Sequence, residues 1–270
     1  MTNPGGFVKF QMLGPIEITT PEGSRVAPKA LKLRSLLAYL CTHHDEVVSS
    51  GQLIEAMWSG APPQTASTAL HVYVSKLRKH LQAMGLDASS LLVTRPPGYQ
   101  LNLSGATLDV SELERLLAEA RELRQFCRKE EASAVFSQAT SLWRGRALED
   151  LRDIPAFESI GRQLDERRIY AQEQRFELEL ELGNHMALIG ELYPLIDDRS
   201  TSENLHGLLM LALYRSGRTA EALATYSCIR RNLVDDFGID PAPRLQRLQH
   251  AILTHDPSLD GRDAHVLNCV

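Results

Sequence analysis

The stretch Ser67 to Gln82, STALHVYVSKLRKHLQ, sets three cations, Lys76, Arg78 and Lys79, beside small hydroxyl side chains and an apolar series at helical spacing. Taking Leu70 as zero and advancing about 100° per residue, Ala66, Tyr73, Val74, Leu77 and Leu81 fall within about 60° of it. A core-facing helix buries a stripe of that width. The opposite side carries Thr65, Thr68, Val72, Ser75, Lys76 and Lys79, and no acid occurs from Gln64 to Met84. A face that only meets water carries Glu among its Lys. Short hydroxyl side chains instead allow close approach to base edges, the methyls of Val72 match a thymine methyl, and Lys76 and Lys79 neutralise phosphates. The face therefore reads as a nucleic-acid contact, the alternative being a solvated helix that happens to lack acids.

A second basic element follows. In LLVTRPPGYQLNL two β-rich runs flank Pro96-Pro97-Gly98, the pattern of a hairpin. Arg95, beside the turn, is placed to meet a phosphate or the minor groove. The plainer reading is a structural hairpin with Tyr99 in the core and Arg95 in solvent. Other chemistry is poorly supplied. The chain has no G-x-S-x-G, no H-E-x-x-H, no dinucleotide loop and no metal-ligand spacing. No enzyme, catalytic residue, cofactor or metal is expected. His43-His44 ends a helix, where surface or capping use accounts for it. Cys41, Cys127, Cys228 and Cys269 lie far apart without a C-x-x-C pair, which fits reduced thiols in core or surface positions.

The elements that must hold these residues are legible as pattern. FVKFQMLGPIEITTPEGSRVAP alternates apolar and polar residues with turns at Gly14-Pro15 and Pro21 to Ser24, and reads as short antiparallel strands. From Lys29 to about His43 the period becomes helical, with Leu33, Leu36, Leu37 and Leu40 on one face. VVSSGQLIEAMWSGAPP then supplies a short extended pair, Ser49 or Ser50 as an N-cap, and a helix that stops before Pro62-Pro63. A third helix carrying the opening stretch, from near Gln64 or Thr65 to before Gly85, and the hairpin complete the order strands, three helices, hairpin. That order describes a winged helix-turn-helix with an N-terminal sheet. Beyond Leu108 no strand pattern appears, and helical segments are predicted over about Val110–Lys129, Glu131–Trp143, Pro155–Leu182, His185–Leu195, Ser202–Arg215, Thr219–Asp236 and Pro243–Leu253. LELELGNHMALIGELY and LMLALYRSGRTAEALATY each show helix, Gly turn, helix, with Gly183 and Gly217 at the 34-residue period of a tetratricopeptide array.

The division this predicts is 1–105, 106–256 and a flexible tail 257–270, with SGATL at residues 104–108 as the boundary. Charge divides the same way. Of 29 Lys and Arg and 34 Asp and Glu, residues 1–105 hold nine and six, leaving 20 cations against 28 acids in the remainder. A basic part joined to an acidic part suits a DNA-binding module tied to a protein-contacting one. No apolar run reaches membrane-spanning length and the N-terminus shows no secretory pattern, so a cytoplasmic, nucleoid-associated location without membrane contact is expected.

On these stretches the N-terminal half resembles OmpR-type winged-helix domains. The whole chain resembles the Streptomyces antibiotic regulatory protein family, which joins such a domain to a bacterial transcriptional activation domain of tetratricopeptide-like helices. FQMLGPIEI, LRSLLAYL, LIEAMWSGAPPQTASTALHVYVSKLRKHL, TRPPGYQL, LWRGRALEDL and LHGLLMLALYRSGRTAEALATYSCIRRNLVDDFGIDPAPRLQRLQHAIL carry the likeness, from about residue 7 to 253. VDDFGIDP stands where Glu-Leu-Gly is more usual, and TRPPGYQL has a second Pro where Gly is common. The resemblance implies an α+β winged helix followed by an all-α repeat domain, and a sequence-specific activator of a secondary-metabolite (antibiotic) gene cluster. It implies binding to direct repeats of double-stranded promoter DNA as side-by-side protomers, a homodimer on DNA, and recruitment of RNA polymerase through its sigma and alpha subunits. It makes the turn around Ser59, Gly60 and Gln64 a candidate polymerase contact, against the alternative of a plain turn. Without a receiver or nucleotide-binding part, control by the amount of protein is expected. The rival reading is a helical-repeat adaptor whose winged domain does not bind DNA.

Overall fold

In the computed structural model, which describes residues 8–260, the chain divides into two compact units, one built from residues up to Ala118 and Gln138–Ile169, the other from Glu119–Ser137 and Tyr170 onward. Among the described residues no helix is long and apolar enough to cross a membrane.

The first unit begins with β1 (Val8–Gln11), β2 (Glu17–Thr19) and β3 (Arg25–Val26), which pair antiparallel in order. A fourth strand, β7 (Ala106–Leu108), lies parallel to β1 with Phe10 opposite Leu108. The sequence pattern gives no sign of it, because three residues are too few to show a period. Then come α1 (Leu31–Thr42), β4 (Val48–Ser49), α2 (Ser50–Trp58) and α3 (Ala66–Ala83). A single-turn α4 (Ala88–Leu91), capped by the Asp87 carboxylate, leads into the hairpin β5 (Leu92–Arg95) and β6 (Gly98–Leu101). Strand β4 adds to β6, so the wing is a three-stranded sheet. At α2 the Ser49 hydroxyl accepts from the Gln52 N–H while the Gln52 side chain accepts from the Ser49 N–H, a reciprocal capping box. The core joins Phe10 and Ile18 of the first sheet, and Ile16 just before β2, to Leu36, Leu37 and Leu40 of α1 and to Leu53, Leu70, Leu77 and Leu101.

The first compact unit continues past residues 104–108, and polar contacts tie the later segments to it. Asp109, fully buried at the start of α5 (Asp109–Gln125), accepts from the backbone N–H of Met12 at 2.8 Å and of Leu13 at 2.9 Å. Burial raises its pKa, with those N–H groups pulling the other way. Further on, LWRGRALEDL docks on the β1–β2 turn. The Arg144 N–H donates to the Leu13 carbonyl at 2.8 Å, the Leu148 N–H to the carbonyls of Met12 and Gly14, and the Ile16 N–H to Asp150 at 3.0 Å. Asp150 also pairs with Arg34 of α1 at 2.7 Å. Buried backbone groups need such partners. Residues 1–105 alone would leave several of them unmatched.

The second unit is helical. It takes parts of α5, α6 (Lys129–Ser141) and α7 (Pro155–Leu182), then α8 (His185–Asp198), α9 (Glu203–Arg215), α10 (Thr219–Phe237) and α11 (Pro243–Leu253). Helix α9 packs against α8 and α10, and α10 against α11. Gly183 and Gly217 take positive φ at the turns α7–α8 and α9–α10, a conformation glycine adopts without a Cβ clash. Ala222 and Tyr226 are buried at the small-contact and aromatic positions. The tail expected to be loose from residue 257 is held at its start: Leu259 is fully buried and its carbonyl accepts from Arg215 Nε at 2.7 Å. Cys269 and the remaining tail, 261–270, lie outside the described residues.

Candidate nucleic-acid interface

Helix α3 turns its apolar stripe inward: Leu70, Val74, Leu77 and Leu81 are buried. Everything placed on the opposite side is exposed: Thr68, Val72, Ser75, Lys76 and Lys79 on the helix, and Thr65 at its N-cap position. Val72 is 46% exposed, so its methyls are available to a partner. Among the described residues the Lys79 side chain has no hydrogen-bond or ion-pair partner, and Lys76 is steered only by the Tyr73 ring, 5.9 Å from its Nζ. Arg95 is likewise exposed and unpartnered at the tip of β5. Tyr99 is buried beneath the wing, which raises its hydroxyl pKa, and Arg95 stands in solvent, so the geometry of the structural-hairpin alternative holds and leaves the Arg95 guanidinium free for an anion.

The third cation of the opening stretch has another task. Arg78 Nε and Nη2 donate to the Leu92 carbonyl at 3.0 and 2.7 Å, and Nη2 also to Thr94 Oγ1 at 2.9 Å. It therefore fastens the helix to the strand that carries Arg95. Its wheel position, between the core stripe and the outer face, was the available signal. Lys32, counted in the basic balance, is also withdrawn. Its ammonium donates to the Met57 carbonyl and lies 5.0 Å over the Trp58 ring, and burial lowers its pKa. Trp58 in turn stands 6.2 Å from Tyr73 of α3, so an aromatic pair joins α2 to α3.

The α2–α3 turn projects from this frame. Ser59 takes a left-handed conformation (φ 50) and Gly60 a positive φ of 82, and Ser59, Gly60 and Gln64 are all exposed. Beside the turn lies a groove of about 550 Å³ lined by Tyr39, Gln52, Glu55, Ser59 and Pro155. Among the described residues no group of three or more His, Cys, Asp or Glu is placed to hold a metal ion.

Two domain families match this frame. Residues 28–101 match the family described as transcriptional regulatory protein, C terminal, and residues 108–253 the bacterial transcriptional activator domain. The chain is 36% identical over 264 residues to the regulatory protein DnrI of Streptomyces peucetius, covering 96% of this chain and 97% of that one. It is 35% identical to the transcriptional regulatory protein EmbR of Mycobacterium tuberculosis, of which it spans 65%. With the regulatory protein AfsR of Streptomyces coelicolor it shares 36% identity and spans only 25% of that longer protein. Among solved structures, Mycobacterium tuberculosis EmbR in complex with a low-affinity phosphopeptide superposes with a TM-score of 0.87 at 34% identity, over 94% of this chain and 68% of that one.

Proposed function

The chain belongs to the Streptomyces antibiotic regulatory protein family of transcriptional activators, and we propose that it works by reading double-stranded promoter DNA with α3 and the β5–β6 wing. Thr65, Thr68, Val72 and Ser75 approach base edges in the major groove, while Lys76, Lys79 and Arg95 meet phosphates. The observation that carries this is the exposed, acid-free face of α3, whose free cations stand on the same side as its short side chains. Two protomers sit side by side on direct repeats, a homodimer on DNA. The turn at Ser59, Gly60 and Gln64 meets the sigma subunit of RNA polymerase and the helical unit offers surface to the alpha subunit. The targets are promoters of a secondary-metabolite gene cluster. Regulators with these domains act on transcription, and this points away from an enzyme.

Fluorescence anisotropy on duplexes from the promoters nearest its own gene tests the reading. Binding to one promoter should exceed binding to random duplex, and both should weaken steeply with salt, because each phosphate contact releases counterions. Salt-independent binding, or none, would favour the adaptor reading instead.

A further inference from the structure

Resting on the DNA-binding reading, we propose that His71 is the side chain through which α3 recognises guanine. His71 is exposed, one turn after Thr68 and one turn before Ser75. Among the described residues its ring has no hydrogen-bond or ion-pair partner. His71 lies about 100° round the helix from Leu70, on the flank beside Thr68 and Ser75, and the other side chains of α3 are poorly fitted to guanine. Guanine is told from other bases in the major groove by donors aimed at its N7 and O6. In the half of α3 that leads into a groove, Thr68 and Ser75 offer single hydroxyls on short stems and Val72 offers none. Lys76 and Lys79 stand toward the C-terminal half, where phosphates lie. Arg78, the residue type best suited to guanine, is committed to the Leu92 carbonyl and Thr94. Gln82 is exposed but lies about 16 Å further along the axis. The imidazole of His71 carries an N–H donor in either protonation state and has the reach the hydroxyls lack.

The operator sequence need not be known in advance for the test. Duplexes are selected from a random pool by the full-length chain. Anisotropy is then measured on the selected duplex and on copies in which each guanine is singly replaced by 7-deazaguanine, which keeps pairing but loses the N7 acceptor. The wild type should lose about tenfold in affinity at one such position. His71→Ala should lose a similar factor on the unmodified duplex and become indifferent to that replacement, whereas Gln82→Ala, an exposed control on the same helix, should keep the sensitivity. The proposal is overturned if His71→Ala stays sensitive, if it weakens random duplex as much as the selected one, which is the mark of a phosphate contact, or if no replacement affects the wild type. A chain that selects no duplex at all overturns the DNA-binding reading itself, and this assignment with it.

Discussion

Val72 and Lys79 separate the two kinds of contact that the face of α3 is proposed to make. An apolar side chain left 46% exposed contributes little to folding, so replacing it changes the surface and spares the core. Val72→Ala should cost about 1–3 kcal/mol on the selected site and little on random duplex, because a methyl contact discriminates among bases. Equal losses on both, or no loss on either, in an anisotropy titration would remove Val72 from the reading set. Lys79 makes the opposite case. A point charge against phosphate carries no sequence information, so Lys79→Ala should weaken all duplexes alike and reduce the slope of log affinity against log salt by roughly one unit. An unchanged slope would return Lys79 to the ordinary solvated surface.

At the scale of elements the question is what keeps the wing in register with the helix. Arg78 answers it with hydrogen bonds to a backbone carbonyl and a hydroxyl of β5. Arg78→Ala should raise hydrogen exchange of the wing amides from Leu92 to Arg95 while leaving α1 protected, and unchanged wing exchange would show that pairing with β6 suffices. In the second unit, α9 carries His206, 1% exposed, with Nδ1 2.8 Å from the Ser202 carbonyl. Burial lowers its pKa, so acid protonates the unfolded chain first, and stability is lost as pH falls through the unfolded value, near 6.5. Urea midpoints should fall across that range in the wild type, and His206→Leu should lack this part of the slope. The elements themselves were legible wherever one periodic face was buried: the Leu70, Val74, Leu77, Leu81 stripe and the Gly183 and Gly217 turns stand as read. What escaped was long-range and polar. Strand β7 pairs with a strand almost a hundred residues earlier, and the Asp109, Arg144 and Asp150 contacts to the first turn leave no periodic mark. Arg78 escaped for a related reason, since composition counts a cation without showing whether a carbonyl has already claimed it.

For the whole molecule, the interleaving of the two units in sequence decides how they can be separated experimentally. The unit carrying α3 takes its last segment from Gln138–Ile169, so a fragment ending at residue 105 would lack β7, Asp109 and the Arg144 to Asp150 docking segment. Any loss of function in that fragment would confound misfolding with a missing activation surface. A cut after Leu213 avoids the problem, because every segment of the first unit is retained. The second unit is ruined by it: α10 and α11 are lost, so α9, whose Leu205, Leu208, Leu209 and Ala212 are all buried, keeps only α8 of the later helices packed against it. A repeat array buries each apolar stripe only through its neighbours, so the remnant of that unit should not hold its fold. The truncated chain should therefore still protect the promoter in a footprint, at higher protein concentration if protomer contacts are weakened. Transcription in vitro with purified polymerase should then fall toward the unactivated level even when the footprints are matched. Matching occupancy corrects for any folded protein lost. Equal activation by the truncated and full chains at equal protection would show that α3, the wing and the Ser59 to Gln64 turn activate by themselves, and that the helical unit serves some other purpose.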